Sequence, residues 1–339
     1  MLFKANRRKR SITIKRDYKG KHVLVTGSEG FIGSNLTEKL LESGADVRAF
    51  VLYNFKGDLG WINHLKGKVD VYFGDVRDYD AVEASMKNVD IVFHLAASIS
   101  VPYSILHPRE VIETNVMGTL NILTAAQKIG IERVVHTSTS EIFGTPEYVP
   151  IDEKHPRNPQ SPYAASKNAA DELCKAFYCS YDLPVVIIRP FNTFGPRQSP
   201  RAIIPSIILQ LLNSDNLRIG NLNPTRDFSY VEDTTDGLLL AGLADVIGEE
   251  INLGTGREIA IGELVKLIAE LMGKGKYRLR KDRKRTRTSH VEVMRLISDN
   301  SKATRLLKWR PKYTLEEGLK KTIDWFSKHR DAYRYLEYL

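Results

Sequence analysis

The stretch HVLVTGSEGFIGSNLTEKLLESG, residues 22–44, decides the fold. His22 to Thr26 is a short apolar run that predicts a buried parallel strand. Gly27, Gly30 and Gly33 follow, and Phe31, Ile32, Leu36, Leu40 and Leu41 then mark the apolar side of a helix. Strand, glycines and helix in this register read as a dinucleotide-binding unit. The glycines allow a tight turn and a close backbone approach to a pyrophosphate. The helix N-terminus faces that anion with unpaired N–H groups and a favourable dipole. Gly27, Gly30, Phe31, Ile32 and Gly33 are therefore candidate cofactor contacts.

Working outward, further apolar runs predict strands at 46–52, 69–74, 90–95, 133–138 and 184–189. Helical patterns lie between them near 31–43, 78–87, 109–129 and 162–180. This alternation implies an α/β fold, a Rossmann-type doubly wound parallel sheet with helices on both faces. Ligands then bind at the carboxyl ends of the strands. Asp75 and Val76 follow the third strand, and Asp75 is placed to accept from an adenine amino group. Leu95, Ala96 and Ala97 follow the fourth, with small side chains that let a dinucleotide lie close. Ser138 ends the fifth. Beyond residue 190 the pattern breaks into shorter pieces, with helices near 202–213, 261–272 and 315–328. The expected organisation is a basic leader at 1–20, a Rossmann domain at 21–190 with later strands from about 226–256, and a smaller interleaved C-terminal α/β substrate lobe from 191–225 and 257–339.

Chemistry is expected at YAASK, residues 163–167, and at Ser138-Thr139-Ser140-Glu141 upstream. Tyr163 and Lys167 are four apart and share a helix face. An ammonium beside a phenol favours the phenolate and lowers the tyrosine pKa from about 10. Such a tyrosine can take a proton from a hydroxyl while a hydride leaves the same carbon. If strand geometry continues, Thr139 and Glu141 point to one side and present a hydroxyl and a carboxylate together.

The 339 residues can bury a full core, and 42% hydrophobic with 27% charged residues is ordinary for a globular enzyme. No apolar stretch reaches the roughly 18 residues of a membrane span. Cys174 and Cys179, five apart in one predicted helix, suit reduced thiols in a cytoplasmic protein and make neither a disulfide framework nor a metal site. The net charge of +9 is uneven: nine Lys/Arg against Asp17 in residues 1–21 leave +8 there. Residues 274–287 hold nine Lys/Arg against Asp282, again +8, so the rest sums to −7. The high pI does not describe a nucleic-acid-binding body, and nucleic-acid contact through the leader is not expected. The leader also lacks the apolar core of a signal peptide.

The motifs TGSEGFIG, GDVRD, HLAA, TNVMGT, STSE, YAASK, RPFNTFGPR and RDFSYVED occur in that order. With them the chain resembles, over about residues 21–329, an extended short-chain dehydrogenase/reductase of the nucleotide-sugar epimerase/dehydratase group. More narrowly, VRAFVLYN, WINHL, VVHTSTSEIFGTPEYVPIDEKHP, SPYAASK and LPVVIIRPFNTFGPRQSPRAIIP resemble the NAD-dependent 4,6-dehydratases of legionaminic-acid pathways, which act on nucleotide-linked N-acetylglucosamine. The resemblance implies that Tyr163 takes the proton from the sugar 4-hydroxyl as C4 is oxidised. Thr139 and Ser138 bond the same hydroxyl, and Lys167 assists Tyr163 and holds the nicotinamide ribose. The 4-ketone acidifies C5, Glu141 removes that proton, and water leaves from C6. The dTDP-glucose 4,6-dehydratases carry Thr-Asp-Glu, with the Asp as acid, where this chain has Ser140. The GDP-mannose 4,6-dehydratases have Thr-Ser-Glu, and UDP-glucuronate decarboxylases also carry Ser-Glu. The run thus argues against a plain 4-epimerase and leaves dehydratase, the favoured reading, and decarboxylase open.

The resemblance further implies that Asn192 lies near the nucleotide diphosphate and that Arg226 and Arg285 grip it, as a bidentate guanidinium suits. Tyr103 lines the hexose pocket or packs. The expected cofactor is NAD, with NADP as the alternative because the run Val47-Arg48-Ala49-Phe50-Val51-Leu52-Tyr53 carries no acid for the ribose 2′-hydroxyl. The expected partners are a nucleotide-diphosphate sugar and a second copy of the chain. The copy pairs through the helices near 109–129 and 162–180, whose apolar residues Val111, Ile112, Val116, Leu120, Leu123, Leu173, Phe177 and Tyr178 exceed one stripe. His94 and His136 read as satisfied core histidines, and the lengthened connection at 53–67 has no role evident from sequence.

Overall fold

A computed structural model describes residues 17–282 and 291–333. The glycine-turn strand β1 (His22–Thr26) lies in the interior of one sheet with β2 (Asp46–Leu52), β3 (Asp70–Gly74), β4 (Ile91–His94), β5 (Arg133–Thr137) and β6 (Val185–Pro190). The strands β7 (Asn192–Phe194), β8 (Asn216–Ile219), β9 (Thr225–Arg226) and β10 (Phe228–Tyr230) belong to smaller sheets, and β11 (Glu250–Leu253) returns to the large one. The order is β11-β6-β5-β4-β1-β2-β3, with every neighbouring pair parallel. The order reverses at β1, so the crevice opens beyond the ends of β1 and β4.

Both faces are covered, which is why the strands read as continuous apolar runs. Val23 and Val25 pack with Leu36 and Leu40 of α1 (Phe31–Glu42), while Leu24 faces the opposite core with Val82 and Ile122. The other helices of the large domain are α2 (Tyr79–Ser85), α3 (Val101–Leu106), α4 (Pro108–Ile112), α5 (Gly118–Ile129) and α6 (Pro162–Tyr181). The helix expected over 109–129 is divided: a π-helical turn, Glu113–Met117, separates α4 from α5. That turn aims Asn115 inward, where its amide bonds Ser98 and Ser166. Of the apolar residues expected to face a second copy, Val111 and Leu123 are instead fully buried within the subunit, whereas Ile112 and Tyr178 are exposed.

After β6 come α7 (Ile203–Asn213), α8 (Val231–Leu243), α9 (Ile261–Leu271), α10 (Ser301–Leu306) and α11 (Leu315–Lys328). Helices α7, α9 and α11 build a second core with Phe194, Phe228 and Tyr230. Sequence reading missed α8, which is buried on nearly every side and so shows no amphipathic stripe. The lengthened connection after β2 has a structural explanation. Its 3₁₀ turn, Gly60–Leu65, sets Ile62 and Leu65 against Ala49 and Val51, and places the Trp61 ring 5.3 Å from that of Trp325. The end of the basic leader is docked, with Tyr18 fully buried and its hydroxyl donating to Leu239 O at 2.7 Å. No helix among the described residues is long and apolar enough to cross a membrane.

Candidate active site

The floor of the site is the glycine turn. Gly27 takes φ +68°, a left-handed value that glycine tolerates, and a Cβ there would meet the Ala96 backbone at 3.0 Å. A Cβ on Gly33 would lie 2.0 Å from Gly27 O, so α1 can press onto the turn only as glycine. Gly30 caps α1 with no side-chain bond, which leaves the amides of Phe31, Ile32 and Gly33 directed at the crevice. Thr26 Oγ1 receives the Leu95 and Ala96 amides, both at 3.1 Å, and so ties the end of β1 to that of β4. Val76 packs against Gly118, while Ala97 follows Ala96 along the same edge. These are the features of a dinucleotide cradle, and the residues present fit one.

Asp75 differs from expectation. Its two oxygens are held by Arg77, through Nε at 3.0 Å and Nη2 at 2.6 Å, and this partner keeps its carboxyl below the usual range. The Asp-x-Arg spacing brings the two together locally, so only the remaining lone pairs can serve an adenine.

The chemical groups converge from β5 and α6. The strand ends at Thr137, and Ser140–Phe143 forms a 3₁₀ turn capped by Thr139, whose Oγ1 receives the Glu141 amide at 3.3 Å. The strand-alternation reading of Thr139 and Glu141 is therefore replaced by a cap and its turn, which still place both at one site. Tyr163 and Thr139 are buried, Ser140 more so, and Glu141 is half-buried. The Glu141 carboxylate makes no hydrogen bond or ion pair among the described residues. Burial pushes the Tyr163 phenol up to about 12, a hydrogen bond from Thr139 pulls it down, and the charges of Glu141 and Asp171 raise it.

Lys167 is buried on α6 one turn beyond Tyr163. Its Nζ lies 3.5 Å from His136 Nε2, and its own pKa is lowered by burial against the opposing pull of Asp171. Asp171, four residues beyond Lys167 on the same face, was missed, although the repeat of four from Tyr163 was a signal for it. It accepts from Ser138 Oγ at 2.8 Å and from Arg189 Nε and Nη2 at 3.1 and 2.9 Å. Arg189 in turn meets Glu250 at 2.5 Å, and Glu250 meets Arg157 at 2.6 Å. Ser138 thus serves Asp171 first, which places it behind the site.

His136 is buried and held down at about 4 by burial and by Lys167, and its Nδ1 has no partner among the described residues. It is only partly satisfied, whereas His94 is bonded on both nitrogens, to Thr26 at 2.9 Å and Thr119 at 3.1 Å. Asn192 points a buried Nδ2 with no partner among the described residues, an open donor on β7. Arg226 is nearly buried on β9, donates to Thr225 O at 2.9 Å and lies 3.8 Å from Glu292. Tyr103 donates to Glu110, and its ring lies 4.4 Å from that of His107 at a 33° tilt. Arg285 lies outside the described residues. A separate cleft beside Lys39, Glu232 and Lys312 holds ion pairs from Lys39 and Lys312 to Asp236 at 2.7 and 2.6 Å and is lined by none of these groups.

The chain matches the family model described as GDP-mannose 4,6 dehydratase over residues 24–322. It is 36% identical over 309 residues to a putative UDP-glucose 4-epimerase of Methanocaldococcus jannaschii, covering 89% of this chain and 97% of that protein. It is 34% identical to UDP-glucuronic acid decarboxylase 1 of Xenopus tropicalis, covering 91% of this chain and 72% of that protein. The crystal structure of a dTDP-glucose 4,6-dehydratase from Streptomyces venezuelae with NAD bound superposes with a TM-score of 0.85 at 30% identity, covering 93% and 100% of the two chains. The chain belongs to the extended short-chain dehydrogenase/reductase family of nucleotide-sugar epimerases, dehydratases and decarboxylases.

Proposed function

We propose that the chain is an NAD-dependent nucleotide-sugar 4,6-dehydratase, converting UDP-N-acetylglucosamine to its 4-keto-6-deoxy product. The observation that carries this reading is the Tyr163 phenol bonded to Thr139, with the unpaired Glu141 carboxylate near enough for its charge to act on the phenol. A 4-epimerase has no use for a base at C5. The amides of residues 31–33 would hold the cofactor pyrophosphate, and Tyr163 and Lys167 its nicotinamide ribose. When bound there, NAD would take up the hydride lost from C4 and give the same hydride back at C6, as a proton returns to C5. Tyr163 receives the 4-hydroxyl proton, with Thr139 orienting that hydroxyl. Glu141 removes the C5 proton made acidic by the 4-ketone. Glu141 can then deliver that proton to the departing C6 oxygen, a duty left to it because Ser140 is no acid. Asn192 and Arg226 supply donors for the diphosphate.

A decarboxylase is the second reading, favoured by Ser140 and by the 34% identical relative. Product mass decides between them. Loss of one water from UDP-N-acetylglucosamine supports the dehydratase, and carbon dioxide release from UDP-glucuronate with the hexosamine untouched overturns it. Glu141→Gln should retain C4 oxidation and lose C5 exchange with heavy water by 10²-fold or more. Unchanged exchange removes Glu141 from its role. A second copy pairs with the first through the faces that carry Ile112 (48% exposed), Met117 (46%) and Tyr178 (38%). The free thiols Cys174 and Cys179 suit the cytoplasm.

A further inference from the structure

The end of β2 carries no carboxylate, yet one reaches that place from another element. Glu29, inside the glycine turn, lines an open pocket of about 370 Å³ together with Leu52, Tyr53, Phe55 and Lys56. Its Oε1 accepts the Leu52 amide at 3.0 Å, which pins the side chain across the tip of β2. Its Oε2 is buried and has no partner among the described residues. The connection at 53–67 fixes the Glu29 backbone from the other side: Glu29 O accepts the Trp61 amide at 3.2 Å, and a Cβ on Gly60 would stand 2.9 Å from the same oxygen. The segment without an evident role in the sequence is thus the support that holds Glu29 in place.

We propose that Glu29 is the residue that selects NAD over NADP, its free carboxylate oxygen accepting from the 2′-hydroxyl of the adenosine ribose. The proposal rests on the dinucleotide reading of the glycine turn and is independent of the sugar chemistry. A vicinal ribose hydroxyl is a donor that a lone carboxylate oxygen can use, and a 2′-phosphate in the same place meets like charge. Burial pushes the Glu29 carboxyl up, because only one oxygen is satisfied, and a donor on the second offsets that cost. Lys56 and Asp58 are the other charged groups at the pocket, and they leave it no net positive charge with which to hold a 2′-phosphate.

The test needs no sugar. NADH and NADPH are titrated into the full-length protein, freed of any co-purifying nucleotide, and nicotinamide fluorescence is followed. The wild-type chain should bind NADH about 100-fold more tightly than NADPH. Glu29→Gln, which keeps shape and the Leu52 contact, should cut that preference about 10-fold, mainly by tightening NADPH, as removal of one repulsive charge requires. Glu29→Lys should invert the preference. Equal affinities in the wild-type chain, or a Glu29→Gln ratio unchanged in a variant with a wild-type melting temperature, overturns the proposal while leaving the dinucleotide reading intact. Binding of neither cofactor overturns both.

Discussion

Asp171→Asn tests whether the line of charges behind the site holds the domain together. Asp171 and Arg189 are fully inaccessible, and the carboxylate takes three donors, from Ser138 Oγ and from Arg189 Nε and Nη2, between 2.8 and 3.1 Å. Asparagine preserves the outline but removes the charge and one acceptor. Losing one member of a buried pair costs about 3–5 kcal/mol. Arg189 retains Glu250 at 2.5 Å, so the lower end, about 3 kcal/mol, is expected. Urea unfolding followed by far-UV circular dichroism at pH 7 measures this as a lower midpoint at constant slope. Arg189→Met should be destabilising by itself, and the double variant should be less destabilised than the sum by about 2 kcal/mol. A loss below about 1 kcal/mol, the scale of an exposed pair, or a strictly additive cycle would refute the reasoning.

Acid should weaken the same network. Arg189, Lys175 and Arg157 hold Glu250 down at about 2, below the ordinary value of about 4.3, so the unfolded chain binds more protons. That stability is complete above about pH 5 and drains away as pH falls toward 2, and Glu250→Gln should flatten the fall in melting temperature between pH 6 and 3. Gly33→Ala puts a methyl 2.0 Å from Gly27 O, so α1 must retreat; melting should show a loss of about 1–3 kcal/mol, with NADH affinity down at least 10-fold. Ile112→Asp, on an exposed apolar face, should shift light-scattering mass from dimer to monomer while melting stays within about 1 kcal/mol.

The large sheet was legible because its strands are buried on both faces and read as unbroken apolar runs: β1 and β2 fall where their hydrophobic segments begin and end. Helix α8 was not, since a helix wrapped by neighbours shows no periodicity. The π-helical turn at Glu113–Met117 was hidden inside a sequence that reads as one helix. Tyr163, Thr139 and Glu141 stand out in the sequence by motif; the fold sets Thr139 against Tyr163, with Glu141 in the turn that Thr139 caps rather than along a strand. What spacing could not reveal is competition for each group. Ser138 is claimed by Asp171, 33 residues away, and Asp75 by Arg77. Glu29 is not legible as a ribose ligand because the pattern places that acid on β2, whereas here three-dimensional proximity brings it to the tip of β2 from the preceding turn.

The Trp61–Trp325 contact bridges two parts of the chain that would separate if the lobes moved. One indole rides on the connection beside β2, the other on α11, and the rings meet edge to face at 5.3 Å with Tyr333 against both. The third tryptophan, Trp309, is sealed in the interior with its Nε1 donating to Asp233 O. The molecule therefore carries an intrinsic optical gauge. Trp61→Phe should remove the pair's share of the ultraviolet emission, so a change on adding cofactor or sugar that this substitution abolishes reports the spacing between the connection after β2 and the C-terminal helix.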